Sequence, residues 1–356
     1  MNIRNYPVVD MFCGAGGLTR GFVDSGFDVV AGIDNDEACR FPFEKNNGNV
    51  RFLNKKIEDI TLDEISALYP NRQGKILIGC APCQPYSTYT KKTGDKNEKW
   101  QLVNVFADLI CSLQPDIVSM ENVPALVTFK DGILYKNFEK KITRAGYSVT
   151  LYPSVDCRNY GVPQNRKRMV LFASKFGKIN IIPPTYNPDT YQTVFDTIGH
   201  LERIAAGESS CSDSLHKARR LTEINLRRIK ASVPGRTWKD WDEDLKAACH
   251  LKDSGRSYRN VYGRMEWLKP SPTITTECVG FGNGRFGHPE QDRAISLREA
   301  ALLQTFPPDY QFVTIEEEIF FSTVARLIGN AVPVVLGKVI ADSIKSHLEA
   351  HDHYIN

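Results

Sequence analysis

The 356-residue sequence predicts an α/β protein: a mostly parallel sheet with helices on both faces, joined to a second, smaller region. Three observations carry this. Short apolar runs alternate with amphipathic stretches through the first half, the order from which parallel sheets are built. Near residue 183 that alternation stops at "PPTYNPDT", and a segment rich in cations follows. Helical periodicity then returns at 296–304 and 323–348.

In chain order, "PVVDMF" (7–12) reads as a buried strand, and Leu18, Phe22 and Val23 follow at helical spacing. "FDVVAGID" (27–34) is a second strand. "KILIG" (75–79), "DIVSMEN" (116–122) and "RMVLFAS" (168–174) are three more, bounded by glycine or polar residues. "LVNVFADLICSL" (102–113) has helical periodicity, and "YSVTLY" (147–152) alternates like a half-exposed strand. The boundaries fall near 185 and 320: a first domain over 1–184, a second over 185–320, and a return to the first over 321–356. The basic segment holds Lys217, Arg219, Arg220, Arg227, Arg228, Lys230, Arg236 and Lys239, with Glu223 the single acid among them.

Hydrophobic content of 42% and charged content of 24% are those of an ordinary globular protein. A net charge of +3 is too small to argue for or against a polyanionic partner. The nine cysteines are scattered and suggest no disulfide framework. "MNIRNYPVVDMF" lacks the apolar core of a signal peptide, and no apolar run approaches the ~20 residues of a membrane span. A reduced, cytoplasmic protein is expected.

Four stretches carry chemistry. "DMFCGAGGLTRGF" (10–22) is a strand, a glycine turn and a helix start, where Gly14, Gly16 and Gly17 let backbone approach a ligand. Thr19 stands where the dinucleotide fingerprint has its third glycine, so no phosphate cradle is implied, and a carboxylate-bearing cofactor or a tight turn with no ligand both suit it. Asp34 closes the second strand, near where an acid takes ribose hydroxyls. "CAPC" (80–83) admits a zinc or dithiol reading, but no second pair matches its spacing, and no metal is expected. A nucleophilic Cys83 at a strand's carboxyl end fits better, with Pro82 stiffening its approach. "SMENVPAL" (119–126) ends a strand on Glu121, a surface carboxylate or an acid/base group. In "GVPQNRKR" (161–168), Arg166 and Arg168 are two apart, so both face one side of a strand.

These stretches, followed by "HPEQDRAISLREAALLQTFPPDY" (288–310) and "RLIGNAVP" (326–333), resemble a DNA (cytosine-5)-methyltransferase of the bacterial restriction-modification type. Six motifs stand in the family's order over roughly 8–175 and 260–340, while 183–260 matches nothing specific. The resemblance implies a Rossmann-like S-adenosylmethionine-dependent methyltransferase domain with a smaller target recognition domain. Cys83 would add to carbon 6 of cytosine. Glu121 would hold ring nitrogen 3 and the exocyclic amine, and Arg166 and Arg168 would support the base.

By the same resemblance, S-adenosylmethionine is the cofactor. Phe12, Gly14, Gly16, Gly17 and Leu18 would wrap its methionine part. Asp34 and Asn35 would meet the ribose side, and Ile57, Pro82, Leu102, Asn330 and Val332 would complete the pocket. Two departures stand out. Lys56 precedes Ile57 where the family has an acid reading the adenine amine, leaving Asp59-Ile60 as the other register. "KNEKWQL" replaces an Asp-x-Arg, so Lys99 has no assigned role. The partner implied is double-stranded DNA with its target base flipped out. Gln84 and Ser87 would touch the DNA, in a loop reaching Trp100, and Arg227 and Arg228 would contact phosphates. A monomer, near the nucleoid, is expected, beside a cognate restriction endonuclease. A tRNA cytosine-5 methyltransferase on the same fold, a DNA-binding protein with a dead site, and a zinc or dithiol protein are the other classes.

Overall fold

Strands β1 (Val8–Met11), β2 (Val29–Asp34), β3 (Arg51–Asn54), β4 (Ile76–Gly79), β5 (Ile117–Asn122), β6 (Ser148–Asp156) and β7 (Lys167–Ser174) form one sheet in the order β3-β2-β1-β4-β5-β7-β6. The structure, a computed structural model, describes residues 3–70, 74–82, 101–248, 250–252, 255, 258–314 and 318–355, the side chains of 352–355 aside. Four pairings are parallel, and only those of β7 with β5 and β6 are antiparallel. The predicted strands are present. β3 is the one the sequence pattern misses: it is an edge strand with Phe52 its single buried side chain, so it has no apolar run to read.

The helices are α1 (Gly17–Asp24), α2 (Arg40–Asn46), α3 (Leu62–Leu68), α4 (Leu102–Leu113), α5 (Ala125–Thr128), α6 (Ile133–Arg144), α7 (Val194–Ile198), α8 (Glu223–Ala231), α9 (Leu297–Leu303), α10 (Phe321–Asn330) and α11 (Val334–Ile355). The chain divides into two compact units: residues 1–160, 167–184 and 331–356, and residues 161–166 and 185–330. One division falls at Pro184/Thr185. The others, at 160/161, 166/167 and 330/331, differ from the expected segments. Residues 161–166 group with the second unit, because Gln164 is bonded there to Leu303 O (2.8 Å) and Gln304 Oε1 (2.6 Å). The return comes at Ala331 rather than 321, because α10 packs inside the second unit. A Cβ on its Gly329 would lie 2.2 Å from the Thr275 carbonyl carbon. The single helical pattern read over 323–348 is therefore two helices, parted by the residues up to Pro333, which has no N–H to continue the first.

In the first unit the sheet core is apolar and fully enclosed: Val9, Met11, Leu77, Val118 and Met120 have no exposed surface. Helices α4 and α6 add Phe106, Ile110 and Phe138 to the same cluster. The far end of the chain reaches this unit through α11, which crosses α1 at backbone contact. A Cβ on Gly21 would sit 2.3 Å from Lys338 N and 2.4 Å from Gly337 C, and one on Gly17 would sit 2.2 Å from Val332 O. Only hydrogen at those positions permits the crossing. The stretch Phe321–His351 does contain an 18-residue window of mean hydropathy 1.6, apolar enough by composition to cross a membrane, which corrects the expectation of no such run. Of that window 78% is buried in the protein.

The second unit is built differently. Among its described residues there are isolated bridges, such as Gln164–Ser271 and Arg264–Gly287, but no strand of the sheet. Buried arginines tie its loops. Arg264 donates to the carbonyls of Ile229, Ser232, His288 and Gln291 and pairs with Asp292. Arg293, with no exposed surface, meets both oxygens of Glu299 at 2.7 Å. Glu299 also accepts from Ser296 N, whose hydroxyl caps α9.

Candidate active site at the carboxyl ends of the parallel strands

β1, β2, β4 and β5 run parallel, so the residues after each lie along one edge of the sheet. Beyond β1 the backbone turns sharply: Phe12 takes φ 59, Gly14 φ 53 and Gly16 φ 90. A positive φ is costly for an aromatic residue and free for glycine, so Phe12 marks a held, strained turn. Its ring edge rests on Phe106, 6.3 Å between centroids. Gly16 starts α1 without a side-chain cap, and a Cβ on Gly14 would meet nothing within 4 Å. Asp34 ties this turn to β2, accepting from Gly14 N (2.9 Å) and Asp36 N (3.0 Å) through different oxygens. Burial pushes its carboxyl above the ordinary value, against the pull of those bonds. Behind the turn, Asp10 is fully buried. Thr19 Oγ1 donates to its Oδ2 (2.6 Å), and its Oδ1 has no hydrogen-bond partner among the described residues. Burial raises its pKa to about 8.

Leu18 and Ile57 are buried, Leu102 is half-buried against the core cluster, and Asn35 is exposed. Both Lys56 and Asp59 are exposed around the buried Ile57, so neither register places an acid inside the protein. Val332 lies in the first unit against Gly17, whereas Asn330, exposed at the end of α10, belongs to the second.

At the end of β5, Glu121 is 2% exposed. The Cys80 thiol donates to its Oε2 at 2.7 Å. Arg168 Nε lies 3.0 Å from Oε1, close enough for an ion pair but without the alignment of a hydrogen bond. The next residue, Asn122, is also buried and donates from Nδ2 to Ala81 O (2.9 Å), which anchors the backbone just before Pro82. Cys83, Gln84 and Ser87, with the loop to Trp100, lie outside the described residues.

The structure separates Arg166 from Arg168. β7 begins at Lys167, so the two arginines do not share a strand face, which corrects the sequence reading. Arg168 is in the first unit, on Glu121. Arg166 is in the second, where its Nη1 donates to Ile274 O at 3.1 Å. Arg227 and Arg228 also have internal partners. Arg227 pairs with Asp244. Arg228 bonds Leu245 O (2.8 Å) and Asn225 Oδ1 (3.0 Å) and covers the Tyr262 ring, so it packs the second unit rather than standing free for phosphate. Sequence reasoning passed over Asn122 and Cys80 as site members. The one available signal was a polar residue directly abutting a buried apolar run, as in "SMEN" and "LIGC".

Known proteins are similar to this chain over most of its length. The profile of the C-5 cytosine-specific DNA methylases matches residues 6–346. The type II methylase M.HgiDII of Herpetosiphon aurantiacus is 58% identical over 342 residues, covering 96% of each chain. The type II methyltransferase M1.HphI of Haemophilus parahaemolyticus is 28% identical, over 94% of this chain and 86% of its own. Among solved structures, a protein assigned as a DNA modification methyltransferase and encoded within an E. coli prophage superposes with a TM-score of 0.75 at 21% identity. The match covers 97% of this chain and 99% of that one, a likeness of fold. With a family match over nearly the whole length and a glycine turn, a buried glutamate and its arginine on one sheet edge, the chain belongs to the C-5 cytosine-specific DNA methylase family.

Proposed function

We propose that the chain is a type II modification methyltransferase that methylates carbon 5 of cytosine at a specific site in double-stranded DNA, with Cys83 as covalent nucleophile and S-adenosylmethionine as donor. The observation that carries the mechanism is the buried Glu121, held from one oxygen by Cys80 and from the other by Arg168, at the same strand ends as the glycine turn. The residues suit the donor. α1 opens without a side-chain cap and so favours a carboxylate, Asp34 keeps lone pairs for two hydroxyls, and Phe12, Ile57 and Leu102 offer an apolar wall. When bound, the donor supplies an electrophilic methyl group.

Attack of the Cys83 thiolate on carbon 6 pushes electron density to carbon 5 and toward ring nitrogen 3, which takes a proton from the Glu121 carboxyl in its acid form. Once carbon 5 has taken the methyl group, loss of its proton to a base and elimination of the Cys83 thiolate restore the aromatic ring, and nitrogen 3 returns its proton. Arg168 keeps the carboxylate in place. Asn122 holds the backbone at Ala81, directly before Pro82, and a thiolate nucleophile has to meet the ring edge at one angle. A base inside a duplex is out of reach, so the target is flipped out, at a cost of a few kcal/mol. The second unit is the target recognition domain in this reading, and Arg166 is read as supporting the base. The type II relatives suggest a restriction endonuclease acting on the same sequence.

The test is Cys83→Ala. Methyl transfer to duplex DNA is expected to fall to background with the fold intact, and 5-fluorocytosine DNA is expected to trap the unaltered protein as an adduct that survives denaturation. An adduct on Cys80, or an active Cys83→Ala variant, overturns the nucleophile. Transfer to tRNA and not to duplex DNA overturns the substrate.

A further inference from the structure

We infer that Cys80 is a positioning residue for the methyl transfer, acting through Glu121; the inference rests on the proposed reading of Glu121 as the group that meets cytosine nitrogen 3. A glutamate's last torsion is broad and roughly two-fold, so one contact does not set the plane of its carboxylate. Arg168 pairs with one oxygen, from Nε to Oε1 at 3.0 Å and without hydrogen-bond alignment. The Cys80 thiol supplies a contact on the opposite oxygen at 2.7 Å. Two contacts on two oxygens stop the rotation.

Cys80 is itself well placed to do this. Its backbone N–H donates to Met11 O (3.2 Å), continuing the pairing of β4 with β1 one residue past the strand, so its Cβ is held by the sheet. The donor's chemistry also fits. A thiol adds no charge beside Arg168 and is a weak donor. It therefore orients Glu121 before the base arrives and yields afterwards to the stronger donor, the exocyclic amine of cytosine. A lysine there would hold the carboxylate too tightly, and an alanine would leave it loose.

The experiment compares Cys80→Val, which keeps the shape and loses the donor, with Cys80→Ala and with Cys80→Ser, which keeps a donor. All are assayed on duplex DNA with S-adenosylmethionine, in the unaltered and the Glu121→Gln backgrounds. Losing one orienting hydrogen bond is expected to lower kcat about three- to tenfold, with the KM for DNA and for the donor unchanged. Cys80→Ser is expected to recover activity to within about twofold, and neither Cys80→Val nor Cys80→Ala is expected to matter once Glu121 is already glutamine. Two outcomes overturn the inference: Cys80→Val as active as the unaltered chain, or Cys80→Ser as impaired as Cys80→Ala with the same loss in both backgrounds. A Glu121→Gln variant with undiminished transfer overturns the reading of Glu121 instead, which separates the two failures.

Discussion

The two units are held together by opposite means. The first buries apolar side chains between sheet and helices and lets backbone touch backbone at Gly17, Gly21 and Gly337. The second buries charge. Arg264 gathers four carbonyls, Arg293 pairs with Glu299 away from water, and Gln164 bridges to Gln304. Apolar packing tolerates small errors, whereas a buried charge stripped of its partner does not. The first unit should therefore fail by steric insult and the second by loss of a single polar partner.

The largest effects test that contrast directly. Arg293→Met strands Glu299 as an uncompensated buried charge and is expected to cost about 3–5 kcal/mol in chemical denaturation. Faster amide exchange should be confined to 201–218 and α9. Adding Glu299→Leu should recover most of the loss, because the empty charge is then gone. Gly21→Ala is expected to cost about 1–3 kcal/mol and to loosen α1 and α11 instead, since its methyl group would overlap the Lys338 and Gly337 backbone. If both variants open the same peptides, the two units are not held independently.

Next come opposite pH dependences. His288 is buried, and its Nδ1 accepts from Glu290 N (3.1 Å) and Gln291 N (2.9 Å), which fixes that nitrogen as unprotonated. Burial lowers its pKa from 6.5 to about 4; Glu299 and Glu290 oppose the shift, and Arg293 and Arg264 add to it. Between those values the unfolded chain binds the proton and the folded chain does not. Stability of the second unit is therefore lost as pH falls from 6.5 toward 4, by on the order of 3 kcal/mol. Asp10 has the reverse sign. Its carboxyl is raised from 3.8 to about 8, so the folded chain keeps a proton that the unfolded chain gives up, and stability of the first unit falls as pH rises through that window. His288→Asn should flatten the acid limb and Asp10→Asn the alkaline one, as read by melting temperature between pH 4 and 8. A common slope in both variants would break the comparison.

The smallest effect sharpens it at the surface. Arg228→Ala is expected to lower stability by about 1–2 kcal/mol, because it loses two hydrogen bonds and a cation over Tyr262. Arg227→Ala should leave stability within about 0.5 kcal/mol, since its bridge to Asp244 is exposed at both ends. If Arg227 contacts a phosphate, its removal flattens the log–log salt dependence of DNA binding by about 0.9, equally on cognate and random duplexes. An unchanged slope would leave it a solvated cation.

How much was legible follows from the same division. Strands β1, β2, β4, β5 and β7 and helix α4 announce themselves as apolar runs of the right period, because a sheet covered on both faces needs uninterrupted Val, Ile and Leu. The sequence alone also determined the family, through six motifs in order, and it put the candidates Asp34 and Glu121 at strand ends, while its candidate Cys83 lies outside the described residues. Tertiary structure alone decided three things. It set Arg168 on Glu121 and carried Arg166 into the other unit, which no two-residue spacing could reveal. It turned Arg228 inward. And it brought the Cys80 thiol to Glu121, 41 positions away in the chain. The physical reason is common to all three. Hydrophobic burial is non-directional and leaves a periodic trace in the chain, whereas a hydrogen bond or ion pair between distant segments depends on one distance and one angle that exist only after folding.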